Sequence, residues 1–200
     1  MGKISDFMIR IASDPKHGYD QRHRNGDPDY DCSSLVIAAV KAAGYAVNAD
    51  YTGNMYAGLL KAGFQDVTAQ VDLKTGKGLK VDDILLTPNK HTAVYTGSGK
   101  ITDARIAETG KKYAEKSGDQ TGHEIETHAY YNYPWRYVLR KPDSDKDPHT
   151  AAGILADLVL MANDVLKGKY GNGEERKKKL GDAYTVVQSM VNYAVRKADR

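Results

Sequence analysis

The 200-residue sequence contains one cysteine, Cys32, one tryptophan and two phenylalanines. A single cysteine excludes an internal disulfide and a structural zinc site built from several cysteines. His123 and His128 lack the spacing of metal ligands, so we expect no metal and no cofactor. The longest apolar run, 35–40, is far below the roughly 18 residues that a membrane-spanning helix needs. We therefore expect no membrane insertion.

Strong net charge is also missing. The chain has 29 Lys and Arg against 26 Asp and Glu, which gives a formal net charge of +3 at pH 7. This excess is too small to indicate nucleic-acid binding. The N-terminal residues lack the apolar segment and the small-residue cleavage pattern of a secretory signal. We therefore expect neither a nucleic-acid partner nor secretion through a signal peptide.

The first 140 residues contain both helical and strand patterns. Ile4, Phe7, Met8 and Ile11 recur at helical spacing, and helices are also predicted at 33–43 and 52–62. Short strands are predicted at 83–86, 91–96, 99–106 and 137–140. Because helices precede strands, the pattern predicts an α+β domain with an antiparallel sheet packed on helices.

A change in composition follows this region. Residues 142–150 are polar and contain Pro142 and Pro148, which is typical of a linker. Beyond it the apolar residues keep helical spacing, and Gly171, Asn172 and Gly173 interrupt them. We predict a domain at 1–141, a linker at 142–150 and a three-helix bundle at 151–200.

Cys32 precedes an apolar helix, in the segment Asp29-Tyr30-Asp31-Cys32-Ser33-Ser34. The first turn of a helix offers unpaired N–H groups and the positive end of the helix dipole, which favour a thiolate and lower the pKa of a thiol. N–H groups near Cys32 and Ser33 can also hold an oxyanion. The alternative is that Cys32 is a small buried residue and Asp31 only caps the helix.

His91 opens a predicted strand, which would hold its ring more firmly than a loop. We predict that it is the general base for Cys32, although a surface or core histidine is the alternative. A third polar residue should orient the ring from the neighbouring strand. Asp103 is our choice and Glu108 the alternative.

Several segments resemble the NlpC-type papain-like peptidoglycan hydrolases, with the closest similarity to phage and prophage endolysins. The matching segments are 17–21, 29–36, 52–55, 83–86, 91–97, 118–122 and 130–135. The resemblance implies a papain-like fold, a nucleophile at Cys32, a base at His91 and a third residue matching Asp103. Many relatives have histidine at that third position, and a glycine where this chain has Asp82.

The resemblance also implies a tyrosine near the oxyanion, which matches Tyr19. With Asp31 and Ser33, it forms our expected oxyanion and substrate group. Tyr130, Tyr131, Tyr133 and Trp135 are candidates for a substrate groove or for the core of the sheet.

The C-terminal region resembles the CW-seven cell-wall-binding motif, on segments 166–176, 180–181, 184 and 187–192. The resemblance implies a three-helix module that binds the muropeptide. Our candidate wall-binding residues are Tyr170, Gly171, Asn172, Gly173 and Arg176, where backbone N–H groups beside an arginine suit a carboxylate. A plain turn that ends a helix is the alternative.

Together these patterns predict an endolysin that hydrolyses peptide amide bonds of bacterial peptidoglycan through Cys32 and His91. We expect a D,L-endopeptidase. The alternatives are an N-acetylmuramoyl-L-alanine amidase that uses the same residues and a non-catalytic wall-binding protein. We expect synthesis in the host cytoplasm and action at the wall after release. A single wall-binding module makes a homo-oligomer a further expectation, because one copy binds weakly.

Overall fold

The computed structural model describes residues 3–142 and 151–198. The chain divides into two units, Met1–Lys141 and Pro142–Arg200, and each is described by itself. Apart from Pro142, the predicted linker at 142–150 lies outside the described residues.

The first unit places three helices before most of its sheet. The helices are α1 (Lys3–Ala12), α2 (Cys32–Ala42) and α3 (Thr52–Lys61). The strands are β1 (Gln65–Asp66), β2 (Ile84–Thr87), β3 (His91–Gly97), β4 (Lys100–Ala104), β5 (Ile125–Ala129) and β6 (Tyr137–Arg140), with a 3-10 turn at Thr68–Gln70. Neighbouring strands are antiparallel in the order β1-β6-β2-β3-β4-β5. The predicted α+β class is confirmed.

Both faces of this sheet are buried. Alternate residues such as Ile84, Leu86 and Val94 pack with the helices in one cluster. Their neighbours Leu85 and Ala93 belong to a smaller cluster on the opposite face. Because successive side chains of a strand point to opposite faces, His91 shares the second face with Ala93. Because β2 is covered on both faces, it is apolar at successive positions and not only at every second one.

The turn before β2 contains Asp82, where the resemblance leads us to expect a glycine. Asp82 has φ +73°, in the left-handed region that glycine adopts most easily. Its Oδ1 accepts a hydrogen bond of 2.7 Å from the backbone N–H of Ser5. Asp82 therefore keeps the glycine-like backbone and fixes the start of α1 through its side chain.

Strand β5 is missing from the sequence prediction. It pairs with β4 at five positions, from Lys100↔Ala129 to Ala104↔Ile125. Its central residues are polar and half-buried, so it shows no apolar alternation. His128, which the sequence assigns to no strand, therefore belongs to this edge strand.

The second unit contains the three predicted helices, α4 (Ala151–Leu166), α5 (Gly173–Leu180) and α6 (Tyr184–Ala198), with a 3-10 turn at Gly181–Ala183. Its small core is formed by Ala162, Val165, Leu180, Val187 and Val191. Across residues 3–142 and 151–198, no helix combines the length and the apolar character needed to span a bilayer.

Asp83 is a fully buried carboxylate in the first unit, and Arg140 on β6 pairs with it. Arg140 donates from Nε to Oδ1 and from Nη2 to Oδ2, both at 2.6 Å. This bidentate geometry compensates a charge that would otherwise be costly to bury.

We expect Arg140→Met to lower the free energy of unfolding by about 3 to 5 kcal/mol, because it leaves the Asp83 charge buried without this partner. Urea denaturation measures the change. Arg136→Met is the matched control, since Arg136 is exposed and its loss should cost about 0.5 kcal/mol or less. Equal effects of the two substitutions would contradict the assignment.

Candidate active site

Cys32 is the first residue of α2, and a reciprocal hydrogen-bond pair fixes this turn. Asp31 is the N-cap, and its Oδ1 accepts from the backbone N–H of Ser34 at 2.7 Å. The Ser34 hydroxyl in turn accepts from the backbone N–H of Asp31 at 2.9 Å. Such a capping box stabilises a helix start, so the position of the Cys32 sulfur is well defined.

The side chains of Asp31 and Ser33 both belong to this cap. The Ser33 hydroxyl donates to Asp31 Oδ1 at 3.0 Å. Arg24 contacts both residues, Asp31 Oδ2 at 3.1 Å and the Ser33 hydroxyl at 3.2 Å. The two side chains thus stabilise the helix start, and neither lines the cavity described below.

His91 begins β3, and a buried carboxylate on β4 orients its ring. Its Nε2 lies 2.7 Å from Asp103 Oδ2, and the Asp103 side chain has no solvent exposure. The other predicted partner, Glu108, lies elsewhere, since its Oε1 accepts from the backbone N–H groups of Glu115 and Lys116. Of the two candidates, Asp103 is therefore the one bonded to His91.

A second histidine completes this arrangement. His128 on β5 places Nε2 2.9 Å from Asp103 Oδ1, so each carboxylate oxygen meets one imidazole. Burial by itself raises the pKa of Asp103, but the hydrogen bonds from His128 and His91 hold it below its ordinary value. Asp103 therefore stays ionised at neutral pH.

Cys32 and His91 reach the same cavity from different elements. The cavity has a volume of about 240 Å³ and is lined by Tyr19, Cys32, Lys90, His91, Arg105, Tyr131 and Tyr133. Because the Nε2 of His91 is bonded to Asp103, its Nδ1 is the nitrogen left to exchange a proton with a neighbouring group. The cavity thus brings together a nucleophile and an oriented base.

The four candidate aromatic residues divide between the groove and the core. Tyr131 and Tyr133 line the cavity. Trp135 is buried and stacks on the His91 ring, with centroids 5.7 Å apart at 22°. Tyr130 packs with the second core cluster and donates its hydroxyl hydrogen to Leu73 O at 2.5 Å. Two of the four therefore face the site.

The resting thiol of Cys32 is less acidic than the sequence predicts. Cys32 is only 7 % exposed. Burial, followed by the negative charge of Asp31, raises the pKa of the thiol to about 12, although hydrogen bonds from the backbone N–H groups of Thr92 and Ser33 act to lower it. The predicted lowering of the Cys32 pKa is therefore wrong, because desolvation outweighs the helix terminus.

Tyr19 is held at the cavity by contacts between distant segments. Its backbone N–H donates to Glu124 Oε2 at 2.9 Å, and Asp29 Oδ1 accepts from the N–H groups of both Gly18 and Gly118. A side chain at Gly18 would lie 2.3 Å from the Gly118 carbonyl oxygen. Burial raises the pKa of Tyr19 to about 12, so its hydroxyl stays protonated and can donate into the cavity.

The candidate wall-binding residues of the second unit surround the turn before α5. Arg176 donates from Nε and Nη2 to the Gly171 carbonyl at 3.0 and 2.8 Å, and from Nη2 to Asn172 Oδ1 at 2.8 Å. Its Nη1 donates to Gln188 Oε1 on α6 at 3.0 Å. Arg176 therefore holds the turn against α6. Tyr170 packs against the bundle core, and Gly173 begins α5.

Three residues of the site escape the sequence analysis: Lys90, Arg105 and His128. Arg105 follows Asp103 by two positions, so strand alternation from Asp103 would have found it. Lys90 directly precedes His91 in the turn before β3, where alternation gives no signal for it. His128 belongs to the strand that was missed. Within the described ranges, no group of three or more His, Cys, Asp or Glu is arranged to hold a metal ion.

Comparison with known families gives two matches. The model of the "Endolysin-like domain" matches residues 9–100 and 101–165. The model of the "CW_7 repeat" matches residues 160–195. No curated protein matches the chain.

Solved structures give weaker likenesses, each covering 69 % of this chain. The peptidoglycan hydrolase RipB from Mycobacterium tuberculosis has a TM-score of 0.42 at 15 % identity over 64 % of its chain. A mutated form of the Resuscitation Promoting Factor Interacting protein RipA has a TM-score of 0.43 at 18 % identity over 62 % of its chain. The P60 domain of an antigen from M. avium subspecies paratuberculosis has a TM-score of 0.41 at 15 % identity over 93 % of its chain. The matched region thus spans less than two thirds of the first two structures.

We expect Asp31→Asn to lower the pKa of the Cys32 thiol, because the Asp31 charge raises it and an asparagine still caps the helix. The pH dependence of alkylation by iodoacetamide measures this pKa. Asp27→Asn, at an exposed carboxylate of the same loop, is the control. If the midpoint of the alkylation profile of Asp31→Asn is equal to or higher than that of the wild type, the electrostatic explanation is wrong.

Proposed function

The chain belongs to the endolysin-like domain family, and from this membership we propose that it is a cysteine hydrolase of bacterial peptidoglycan. The observation that carries the proposal is the shared cavity of Cys32 and His91, with Asp103 bonded to the far nitrogen of the His91 ring. A nucleophile, a base and a residue that orients the base are the parts that amide hydrolysis by a thiol requires.

The proposed reaction begins with the neutral thiol. As the Cys32 sulfur attacks the amide carbonyl carbon, its proton passes to Nδ1 of His91. The carbonyl oxygen becomes an oxyanion, which the Tyr19 hydroxyl and N–H groups at the start of α2 stabilise. His91 then protonates the leaving amine and a thioester remains. Water, deprotonated by His91, hydrolyses the thioester and restores the thiol.

The raised pKa of the Cys32 thiol determines when its proton leaves relative to the attack of the sulfur. A buried thiol that stays protonated gains its reactivity only when its proton has an acceptor in line. Asp103 supports this transfer, since its charge stabilises the imidazolium that forms on His91. The transfer of the proton and the attack of the sulfur therefore belong to one step of the proposed mechanism.

The peptide part of peptidoglycan is the proposed substrate. Two features support it: the family of the first match and the similarity of residues 160–195 to a repeat of cell-wall-binding proteins. We propose cleavage as a D,L-endopeptidase within the stem peptide. We further propose that the protein is of phage origin, is made in the host cytoplasm and acts at the wall after release.

Cys32→Ala should reduce lysis of purified cell walls by at least about 1,000-fold, because the nucleophile is lost. His91→Ala should reduce it to a similar extent. Both variants should still sediment with the walls. Turbidity and a binding assay measure the two properties, and lysis by Cys32→Ala at the wild-type rate would overturn the mechanism.

Mass spectrometry of the digested muropeptides identifies the bond. New amino and carboxyl ends inside the stem peptide indicate the proposed endopeptidase. Release of whole stem peptides with a free N-terminal L-alanine would instead indicate the amidase, which would use the same residues.

Deletion of residues 150–200 should weaken sedimentation with walls more than it slows turnover of a soluble muropeptide, because the deleted region contains the wall-binding match. Arg176→Ala should weaken sedimentation in the same direction, since it releases the Gly171 turn. Lys178→Ala, at an exposed residue of the same helix, is its control. Undiminished wall binding by the deleted chain would refute this role.

A further inference from the structure

Each of the two ring nitrogens of His128 faces a hydrogen-bond acceptor. Its Nε2 lies 2.9 Å from Asp103 Oδ1, and its Nδ1 lies 2.9 Å from the carbonyl oxygen of Ala129. A carbonyl oxygen and an ionised carboxylate can only accept. Both hydrogen bonds form at the same time only when both nitrogens of His128 carry a hydrogen, that is, when the ring is an imidazolium.

Asp103 needs such a partner because it has no contact with solvent. An ionised carboxylate in this position is costly unless an opposite charge lies beside it. His91 also bonds to Asp103, but in the proposed mechanism it must be a neutral base before the reaction. His128 can supply the compensating charge without taking part in the chemistry, since it is absent from the cavity lining.

The register of the sheet explains how His128 reaches Asp103. Asp103 is directly opposite Glu126, and His128 follows two positions later on the same face of β5. Such diagonal neighbours are within reach of long side chains. Asp103 is thus held from both sides, by His91 of β3 at one oxygen and by His128 of β5 at the other.

We propose that His128 is a positioning residue, which as an imidazolium fixes the Asp103 carboxylate in the orientation that holds His91 ready for Cys32. The catalytic consequence rests on the proposed function. The pairing of His128 with Asp103 is a contact within the protein and is testable without substrate.

The charged groups around His128 give this pairing a pH dependence. Asp103 lies on β4, Arg105 lies directly after β4, Glu126 lies on β5, and the Tyr131 ring lies 5.5 Å away. The hydrogen bond to Asp103 raises the pKa of His128 above its ordinary 6.5, although burial and Arg105 oppose this. A raised pKa means that the pairing is complete below the ordinary value and is lost as the pH rises through the folded-state value.

The first experiment measures the protonation of His128 directly. In full-length protein with ¹⁵N-labelled histidine, assigned by comparison with His128→Gln, both ring nitrogens of His128 should show imidazolium shifts at pH 7. The titration midpoint should lie above 6.5. A neutral His128 ring at pH 7 would overturn the proposal.

The second experiment uses three variants in two assays, wall hydrolysis and alkylation of Cys32. His128→Ala should lower kcat at least about tenfold with little change in KM, and should slow alkylation, because His91 loses its orientation. His128→Gln keeps a donor for Asp103 that does not titrate. This variant should retain most of the wild-type activity, and its activity should not show the decline at high pH that deprotonation of His128 causes in the wild type.

His123→Ala is the matched control. His123 is exposed and bonds to Glu126 at 2.8 Å, but it has no hydrogen bond to Asp103. It should change neither assay by more than about twofold. If His128→Ala is as active as the wild type in both assays, the proposal is wrong.

The two assays separate this proposal from the proposed function. If the wild type hydrolyses no peptidoglycan but alkylation still depends on His128, the function fails and the positioning role stands. If the wild type hydrolyses walls and no variant of His128 alters the pH profile, the positioning role fails and the function stands. If His128→Ala does not fold, His128→Gln and the titration decide the question.

Discussion

The hydrogen bond between His91 and Asp103 is the contact on which the rest of the site depends. It joins two neighbouring strands and fixes the roles of the two His91 nitrogens. Nε2 bonds to Asp103, and Nδ1 is left for the cavity. Without this hydrogen bond, a cysteine at the start of a helix would lie beside a ring of undefined orientation. The antiparallel register between β3 and β4 creates this contact, so the chemistry follows from strand pairing.

The helices contribute the other half of the site, and a helix cap and an ion pair hold it in place. Asp31, Ser34 and Arg24 fix the first turn of α2, which begins at Cys32, through a cap and an ion pair. The same interactions place a negative charge close to the sulfur. The structure therefore combines a rigid nucleophile with a pKa that opposes ionisation, and the oriented imidazole compensates for this at the moment of attack.

Most of the fold and the central residues of the site could be predicted from the sequence. Cys32 stands out because a polar segment directly precedes an apolar helix, and His91 and Asp103 follow from two strands joined by a short glycine turn. His128 could not be predicted, because β5 is an edge strand with polar central residues, and hydrophobic periodicity is the main signal for strands. The thiol pKa was misjudged for a related reason: sequence reveals a helix terminus but not the depth of burial.

The burial of Cys32 also bears on the survival of the protein in oxidising surroundings. Peroxides react with the thiolate form of cysteine, and accessibility governs how quickly they do so. A sulfur that is 7 % exposed and protonated at rest is a poor target for conversion to sulfenic acid. Since the chain has one cysteine, it cannot protect that sulfur by pairing it internally. Burial away from water protects this single thiol from oxidation instead.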